Sequence, residues 1–386
     1  MNKKYKVMTI VGTRPEIIRL CEVIKRLDKD FDHILVHTGQ NYDYELNEIF
    51  FKEFGLRKPD YFLGAVGENL GHTMGNVIAK SFDLIKEVNP DAILILGDTN
   101  SALSAISAKR LKCPIFHMEA GNRCSDWNVA EMTNRTIVDH ISDVNLPYSF
   151  YAYGNLIKEG LSVDRIVKTG SPMKEVIDNY RDKIESSTVI EDLGLSKGKY
   201  IVISSHREEN VDIPSKFNTL FPALNKIVDE LKMPAIFSVH PRTRKRLDSL
   251  GFKLSPYIKE SKPFGFFEYV KLQENAYVVL SDSGTLSEES SILDFPAILI
   301  RTSTERQEAN IHGSIVLGGV DYDGIKKGIE EAREIHKEGN KLRIVPDYDT
   351  NEVSSIVSRT ISKYIDIVNK ETWLKQQYDF IFLPST

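Results

Sequence analysis

The sequence predicts an α/β protein built from two Rossmann-like, doubly wound parallel sheets. From the first residues, apolar strand-like runs alternate with segments of helical period, a pattern typical of βαβ units whose right-handed crossovers make the strands parallel. The alternation stops at a polar segment, residues 184–199, and then restarts. Because 386 residues are enough for two domains, a second sheet after this segment is the simplest interpretation.

The elements of the first domain follow in order from their apolar patterns. Helices are predicted over residues 15–27, from 43 onward, over 70–88 and over 101–111. The strands that alternate with them are residues 5–11, 34–36, 92–96, 114–116, 144–146 and 166–168. The turn 169–173 opens another helix with a proline near its start, so the first domain is predicted to span residues 1–175.

The second domain, residues 176–352, contains four runs that are apolar throughout. They are residues 200–203, 235–239, 277–280 and 297–300. Such runs are typical of parallel strands that are buried on both faces. Beyond them, apolar side chains recur at helical spacing and predict a C-terminal helix, 353–372, which needs an apolar surface to pack on.

Composition excludes several classes of protein. Hydrophobic residues make up 41% of the chain and charged residues 27%, as in soluble globular proteins, and the formal net charge of −5 argues against a nucleic-acid partner. Cys21, Cys113 and Cys124 match neither a disulfide framework nor a zinc site and are expected to be reduced thiols. No apolar run approaches the ~18 residues of a membrane span. We therefore expect a cytoplasmic protein with a small-molecule partner and no membrane contact.

Three carboxylates stand where acid/base chemistry is usually placed. Asp98 and Glu119 each follow an apolar strand, so both are predicted at strand C-termini, where open α/β sheets bind ligands. Glu131 follows within the segment 130–135. Carboxylates that converge near one cleft push each other's pKa values apart, which suits general acid/base catalysis.

Two other interpretations of these carboxylates stay open. They could form structural ion pairs, for which Arg123 and Arg135 are candidate partners. They could also bind a metal, since His117 and Glu119 are two residues apart, but no second cluster of histidine and carboxylate completes a usual ligand set. Metal binding ranks lowest, and no metal is predicted.

Cationic side chains follow predicted strands at three places. Residues 12–16 join the first strand to the first helix and place Arg14 beside free helix N–H groups, a phosphate-site geometry, although an ordinary turn with a solvated arginine fits equally well. His206 follows a strand of the second domain and is a candidate phosphate donor, and His240 repeats the pattern more weakly. A structural role is the alternative for both histidines.

A strand, turn and helix start in the second domain are suited to bind a diphosphate. Ser283, Gly284 and Thr285 supply a hydroxyl and backbone amides at the start of the helix. Glu289, further along that helix, is then within reach of ribose hydroxyls. A plain helix N-cap with acidic residues in the first turn is the alternative.

These segments resemble the non-hydrolysing UDP-N-acetylglucosamine 2-epimerase family over nearly the full chain. The motifs occur in family order with compatible spacing, at residues 12–16, 97–99, 117–121, 134–135, 206–210, 282–284 and 304–306. The resemblance implies a GT-B-like architecture with the active site between the two domains and helix 353–372 packing back on the first. It also implies a homodimer and a UDP-2-acetamido sugar as substrate, with no cofactor.

Within the family, the chain is most similar to the capsule and O-antigen branch that converts UDP-2-acetamido-2,6-dideoxy-L-talose to UDP-N-acetyl-L-fucosamine. The similarity is carried by residues 38–46, 117–124, 168–173 and 281–293. The UDP-N-acetylglucosamine branch typically has Gln-His-Arg-Glu where residues 40–43 read Gln-Asn-Tyr-Asp. Cationic groups associated there with a second, allosteric UDP-sugar are therefore missing. UDP-N-acetylglucosamine and UDP-N-acetylmannosamine are the alternative substrate pair.

The resemblance also implies roles for the candidate residues. As the C1–O bond to UDP breaks, a carboxylate removes the C2 proton, and UDP is added back to the resulting 2-acetamidoglycal. The acid/base or cation-stabilising residues are Asp98, Glu119 and Glu131. The residues that stabilise the leaving UDP or bind the substrate are His206, Arg14, Arg135, Ser283, Gly284, Thr285, Glu289 and, near uracil, Tyr269.

The chain departs from the family pattern in two loops. The family usually has Pro-Glu-Glu where this chain has Ala130, Glu131 and Met132. Gln307 replaces the proline of a Thr-Glu-Arg-Pro-Glu motif. These differences keep two rival classes open, a GT-B glycosyltransferase and a non-catalytic UDP-sugar-binding protein.

Overall fold

The chain folds into two compact units. The first unit consists of Met1–Arg123, Ala130–Val176 and Thr350–Thr386. The second unit consists of Cys124–Val129 and Ile177–Asp349. The computed structural model describes residues 4–39, 44–124, 126, 127, 129, 131–337 and 343–375. Positions 40–43, Ala130 and the end of the chain from 376 lie outside the described residues.

Six parallel strands form the sheet of the first unit. They are β1 (Lys6–Val11), β2 (Asp32–His37), β3 (Tyr61–Phe62), β4 (Ala92–Leu96), β5 (Ile115–Met118) and β6 (Val144–Leu146). Their order is β3-β2-β1-β4-β5-β6, which is the doubly wound arrangement. The strand order reverses between β1 and β4, and the carboxyl ends of strands at such a reversal point are where open α/β sheets bind ligands.

Helices connect these strands. They are α1 (Arg14–Asp30), α2 (Tyr44–Glu53), α3 (Leu70–Val88), α4 (Ser104–Arg110), α5 (Glu131–Ile141), α6 (Phe150–Lys158) and α7 (Met173–Asn179), with short 3₁₀ helices at Asn100–Leu103 and Val163–Arg165. Helix α1 starts with Pro15 in its first turn, as the sequence predicts. The central strand β4 is buried along its whole length, as expected for a parallel strand covered on both faces.

Six further parallel strands form the sheet of the second unit. They are β7 (Ile201–Ser204), β8 (Ala235–Ser238), β9 (Ile258–Ser261), β10 (Val278–Ser281), β11 (Ala297–Leu299) and β12 (Val316–Leu317). Their order, β12-β11-β10-β7-β8-β9, repeats the doubly wound arrangement of the first unit. The reversal point lies here between β7 and β10, whose paired ends are Ser204 and Ser281.

The helices of the second unit cover both faces of this sheet. They are α8 (Arg181–Glu185), α9 (Val189–Asp192), α10 (Glu208–Val211), α11 (Pro214–Leu231), α12 (Pro241–Ser249), α13 (Phe266–Glu274), α14 (Leu286–Leu293), α15 (Gln307–Ile311) and α16 (Tyr322–Ile335). Side chains of β7 alternate between two apolar cores: Ile201 and Ile203 pack in one, and Val202 packs in the other. None of the described helices is long and apolar enough to cross a membrane.

The C-terminal helix α17 (Val353–Glu371) lies against α1 of the first unit. Ser358 Oγ donates to Asp30 Oδ2 at 2.6 Å, and Ser354 N donates to Glu175 Oε2 at 2.9 Å. The buried stripe of α17, which includes Ile361, is the apolar face that its sequence period predicts.

The predicted strand over residues 166–168 is not formed. Only Ile166 makes a bridge, to Asn145, so this segment is not a seventh strand. The short edge strands β3, β9 and β12 are additions to the predicted sheets. The predicted class, two doubly wound parallel sheets, is confirmed.

Candidate active site

Two of the three candidate carboxylates follow adjacent strands at the carboxyl edge of the first sheet. Asp98 follows β4, and Glu119 follows the neighbouring strand β5 at the same carboxyl edge. A Cβ atom on Gly97 would lie 3.7 Å from Glu119 Oε2, so the two turns touch. Gly97 has φ +70°, a conformation that favours glycine.

Helix α5 holds Asp98 in place. Arg135 Nε donates to Asp98 Oδ2 at 2.5 Å, and Asn134 Nδ2 donates to the Asp98 carbonyl at 2.9 Å. Glu131 opens α5 three and four residues before these side chains, so it lies on the same helix face. Within the described part of the chain, no side chain forms a hydrogen bond or ion pair with Glu131, which is half-buried.

Glu119 is paired with Arg19 of α1, a residue for which the sequence holds no local signal. Arg19 Nη1 contacts Glu119 Oε2, and both side chains are more than nine-tenths buried. Asn122 Nδ2 donates to the other carboxylate oxygen at 3.3 Å. The Glu119 backbone has φ +64°, which costs a non-glycine residue roughly 1–2 kcal/mol and must be stabilised by such contacts. Arg123, a predicted partner of the carboxylates, pairs with Asp139 instead.

A fourth carboxyl, Glu16, is buried between the turns that follow β1 and β4. Its oxygens accept hydrogen bonds from Gly12 N at 3.1 Å, Thr13 Oγ1 at 2.7 Å, Thr99 Oγ1 at 3.2 Å and Ser101 Oγ. Burial raises the pKa of Glu16 to about 7, although these hydrogen bonds lower it. Within the segment 12–16, predicted as a possible phosphate site, the Gly12 amide therefore donates to the chain's own carboxyl group.

The described residues contain no cluster of three His, Cys, Asp or Glu side chains that could hold a metal ion. His117, the histidine two residues before Glu119, is buried and faces acceptors on both sides. Its Nε2 donates to the Gly97 carbonyl at 2.7 Å, and its Nδ1 lies 2.9 Å from Asp139 Oδ1.

Asp282 organises the reversal point of the second sheet. It is fully buried, and its carboxylate accepts hydrogen bonds from the backbone N–H of His206 at 3.0 Å and of Arg207 at 3.1 Å and from Asn210 Nδ2 at 3.2 Å. His206 Nδ1 lies 3.2 Å from Asp282 Oδ1, while 44% of the His206 side chain remains exposed. Asp282 therefore orients the His206 ring through Nδ1, and the rest of the ring is accessible to solvent.

The turn after β10 presents the hydroxyls predicted to bind a diphosphate. Ser283 Oγ and Thr285 Oγ1 lie 2.9 Å apart, and Ser283 N donates to Ser281 Oγ at 3.1 Å. Thr285 immediately precedes α14, and the positive end of a helix dipole favours an anion there. A Cβ atom on Gly284 would lie only 3.0 Å from Glu305 Oε1, so a larger residue would press on that side chain.

Glu289 and Tyr269 are brought together beside this turn. Gln273, fully buried on α13, donates from Nε2 to Glu289 Oε2 at 2.7 Å. Tyr269 lies one turn earlier on α13. Burial and the charge of Glu289 raise the pKa of Tyr269, against hydrogen bonds with Ser204 and Ser281 that lower it.

Arg14 and His240 both stand at helix starts. Arg14 opens α1, and its guanidinium carbon lies 5.8 Å from the centre of the Phe50 ring. His240 precedes α12, where its Nδ1 accepts a hydrogen bond from Arg242 N at 3.3 Å. The rings of His240 and His206 are 6.1 Å apart.

Fold and sites together define an α/β enzyme with two doubly wound units, one carrying paired carboxylates and the other a hydroxyl-rich turn at a helix start. A family model described as UDP-N-acetylglucosamine 2-epimerase matches residues 25–362. The chain belongs to this non-hydrolysing family and is a UDP-sugar 2-epimerase, an isomerase.

Individual relatives are similar to this chain over most of its length. A solved UDP-N-acetylglucosamine 2-epimerase from Rickettsia bellii is 44% identical, with 96% of this chain and 100% of that one covered and a TM-score of 0.89. One from Methanocaldococcus jannaschii, solved with UDP-GlcNAc and UDP, is 30% identical, with 93% and 99% covered and a TM-score of 0.87. The UDP-2,3-diacetamido-2,3-dideoxy-D-glucuronate 2-epimerase of Pseudomonas aeruginosa is 34% identical, with 85% and 91% covered. The GT-B-like fold class predicted from the sequence is thereby confirmed.

Proposed function

We propose that this enzyme inverts C2 of a UDP-2-acetamido sugar by eliminating UDP and adding it back. The observation that carries the proposal is the placement of Asp98 and Glu119 at the ends of adjacent strands, each against a buried arginine. The C2 hydrogen is not next to a carbonyl, so its direct removal is prohibitive. Once the C1–O bond to UDP breaks and C1 gains oxocarbenium character, a carboxylate takes the C2 proton and a 2-acetamidoglycal forms.

The return path restores the sugar. A protonated carboxyl group delivers a proton to the opposite face of C2, and UDP oxygen attacks C1. Three carboxylates are available for these transfers, Asp98, Glu119 and Glu131. Arg135 keeps its positive charge while it orients Asp98, so with Arg14 it stabilises the negative charge of the departing diphosphate.

In this proposal the second unit binds UDP. The contacts are made by Ser283, Gly284 and Thr285 with the diphosphate, His206 and His240 beside it, Glu289 with the ribose and Tyr269 near uracil. The accessible ring of His206 and the two hydroxyls of Ser283 and Thr285 before α14 support this arrangement, because a diphosphate needs several donors at once.

Two substrate pairs are candidates. The names of the relatives favour UDP-N-acetylglucosamine and UDP-N-acetylmannosamine. The sequence of residues 38–46 favours UDP-2-acetamido-2,6-dideoxy-L-talose and UDP-N-acetyl-L-fucosamine, and with them capsule or O-antigen synthesis by a cytoplasmic homodimer.

Incubation in deuterated water tests the proposal and separates the substrates. Each candidate UDP-sugar is followed by NMR, and the true substrate should gain deuterium at C2 as its epimer forms. Glu131→Gln should abolish this exchange, whereas normal turnover would remove Glu131 from the mechanism. Tight binding of every candidate UDP-sugar without exchange would make the chain a non-catalytic binder and end the proposal.

A further inference from the structure

We propose that His117 is a positioning residue, a buried imidazolium that fixes the three acid/base carboxylates relative to one another through Gly97 and Asp139. The inference rests on the proposed function of Asp98, Glu119 and Glu131. It adds a residue that touches neither the reacting atoms nor UDP.

Both ring nitrogens of His117 face acceptors. Nε2 lies 2.7 Å from the Gly97 carbonyl, which can only accept, so this nitrogen carries a proton. Nδ1 lies 2.9 Å from Asp139 Oδ1, close enough for an ion pair although the two groups are not aligned for a hydrogen bond. Both side chains are buried. A second proton on the ring makes His117 positive, so that the buried negative charge of Asp139 has a partner of opposite sign.

The electrostatic surroundings agree with this charge state. Burial lowers the pKa of His117, but Asp139, the Gly97 carbonyl and the charge of Asp98 outweigh it, so the pKa is raised. The pKa of Asp139 is lowered despite burial, because His117 and Arg123 are next to it.

His117 of this ion pair contacts the turn that carries Asp98. Gly97 immediately precedes Asp98, and its carbonyl is held by a side chain from the adjacent strand β5. Because Gly97 adopts φ +70°, the direction of this peptide is not set by regular strand pairing. The bond from His117 therefore fixes where Asp98 leaves the sheet.

Asp139 connects the ion pair to the segments that carry Glu119 and Glu131. Its second oxygen accepts from Gly121 N at 3.0 Å, which closes the turn that carries Glu119. Asp139 itself is on α5, two turns after Glu131. One buried ion pair therefore connects all three carboxylate-bearing segments, and a displacement of about 1 Å there is enough to slow a reaction on the order of 10²-fold.

The test compares three variants of the full chain. His117→Gln retains a donor for Gly97 but loses the charge, and Asp139→Asn retains the shape of its partner. His140→Gln, on the exposed side of α5, is the matched control. For each variant, kcat, KM, the ratio of C2 deuterium exchange to epimer formation, and UDP affinity by calorimetry are measured.

We expect His117→Gln and Asp139→Asn to lower kcat on the order of 10²-fold and to change the ratio of exchange to epimerisation, with KM and UDP affinity within twofold of the parent. The control should match the parent. A folded His117→Gln enzyme with parental kcat and an unchanged ratio overturns the inference. An equal loss of kcat and of UDP affinity also overturns the inference, because it indicates general unfolding of the variant. If His117→Gln does not fold, the same criteria apply to Asp139→Asn.

Failure of the underlying function has a different signature. If the parent shows no C2 deuterium exchange with any candidate UDP-sugar, the proposed function fails. If Glu119→Gln and Glu131→Gln both exchange at the parental rate, these two variants show that neither residue is an acid/base group. If they abolish exchange while His117→Gln does not slow it, only the positioning role fails.

Discussion

Arg135 reaches the Asp98 carboxylate from the same face of α5 that carries Glu131. The Nε–Oδ2 distance is 2.5 Å, and Arg135 Nη1 also lies 3.6 Å from the sulfur of Met132. Met132 is buried, and its sulfur packs against this guanidinium. One guanidinium therefore contacts both the Asp98 carboxylate and the Met132 side chain.

Replacing Arg135 should separate its charge from its geometry. Arg135→Lys keeps the charge but cannot reproduce a planar guanidinium, and Arg135→Gln removes the charge. We expect C2 deuterium exchange, followed by NMR, to fall in the order parent, Lys, Gln, with the last lower on the order of 10²-fold. Arg110→Gln, at the exposed end of α4, is the control. Equal rates for parent and Arg135→Gln would contradict the assigned role.

The buried pair of Arg19 and Glu119 predicts a non-additive effect on stability. Arg19→Met removes a cation from a buried carboxylate, which costs about 3–5 kcal/mol in such pairs. Adding Glu119→Gln removes the charge that needs the cation, so the double variant should be more stable than Arg19→Met alone. Urea unfolding of the parent, both single variants and the double variant measures the coupling. Simple addition of the two single effects would show that the pair is not coupled.

What the sequence predicts and what it misses follow from the range of the interactions. The strand-end positions of Asp98 and Glu119 are local features, because an apolar run followed by a polar turn defines them. Arg19 is 100 residues from Glu119 and Gln273 is 16 from Glu289, so only packing of the elements reveals these partners. The sequence of residues 12–16 likewise does not indicate that the Glu16 carboxyl accepts hydrogen bonds from Gly12 and Thr13 of the same segment.

The edge strands were beyond prediction for a related reason. Strands β3 and β12 have two residues each, too few for an alternating pattern to be recognised. Residues 166–168 have the opposite property. They are β-branched and apolar in part, and Val167 N and Thr169 N donate to the carbonyls of Asn145 and Pro147. Only Ile166 forms a bridge, so strand propensity there does not produce a regular strand.

Glu16 predicts a pH dependence of stability. Its pKa is about 7 in the folded chain against 4.5 for the ordinary group, so between these values the folded state keeps a proton that the unfolded chain releases. The contribution of Glu16 to stability is therefore fully present below pH 4.5 and is lost as the pH rises through about 7. Relative to Glu16→Gln, which does not titrate, the parent should lose stability from pH 5 to 8, by up to about 1.4 kcal/mol per pH unit.

Urea midpoints at pH 5, 6, 7 and 8 measure this difference. Glu87→Gln, which changes an exposed carboxyl on α3, is the control and should run parallel to the parent. Parallel curves for the parent and Glu16→Gln would mean that the carboxyl does not keep its proton in the folded state.

Gln273 predicts selectivity for the ribose of the nucleotide. Its amide donates at 2.7 Å to Glu289, the residue proposed to bind the ribose hydroxyls, and so fixes which carboxylate oxygen faces the sugar. In Gln273→Met this charge-assisted bond is lost, and since such bonds contribute about 1.5–3 kcal/mol, UDP affinity should fall roughly 10–100-fold. Affinity for 2′-deoxy-UDP should fall less, because that ligand lacks a hydroxyl for Glu289 to accept from.

Calorimetry with UDP and 2′-deoxy-UDP measures both affinities. Asn275→Ala, at the end of the same helix, removes a side chain that donates to the Lys271 carbonyl and should leave the ratio of the two affinities unchanged. Equal losses for both nucleotides in Gln273→Met would mean that Gln273 supports the helix packing alone. A larger loss for UDP would tie the buried amide of α13 to recognition of the ribose, because only the hydroxyl distinguishes the two ligands.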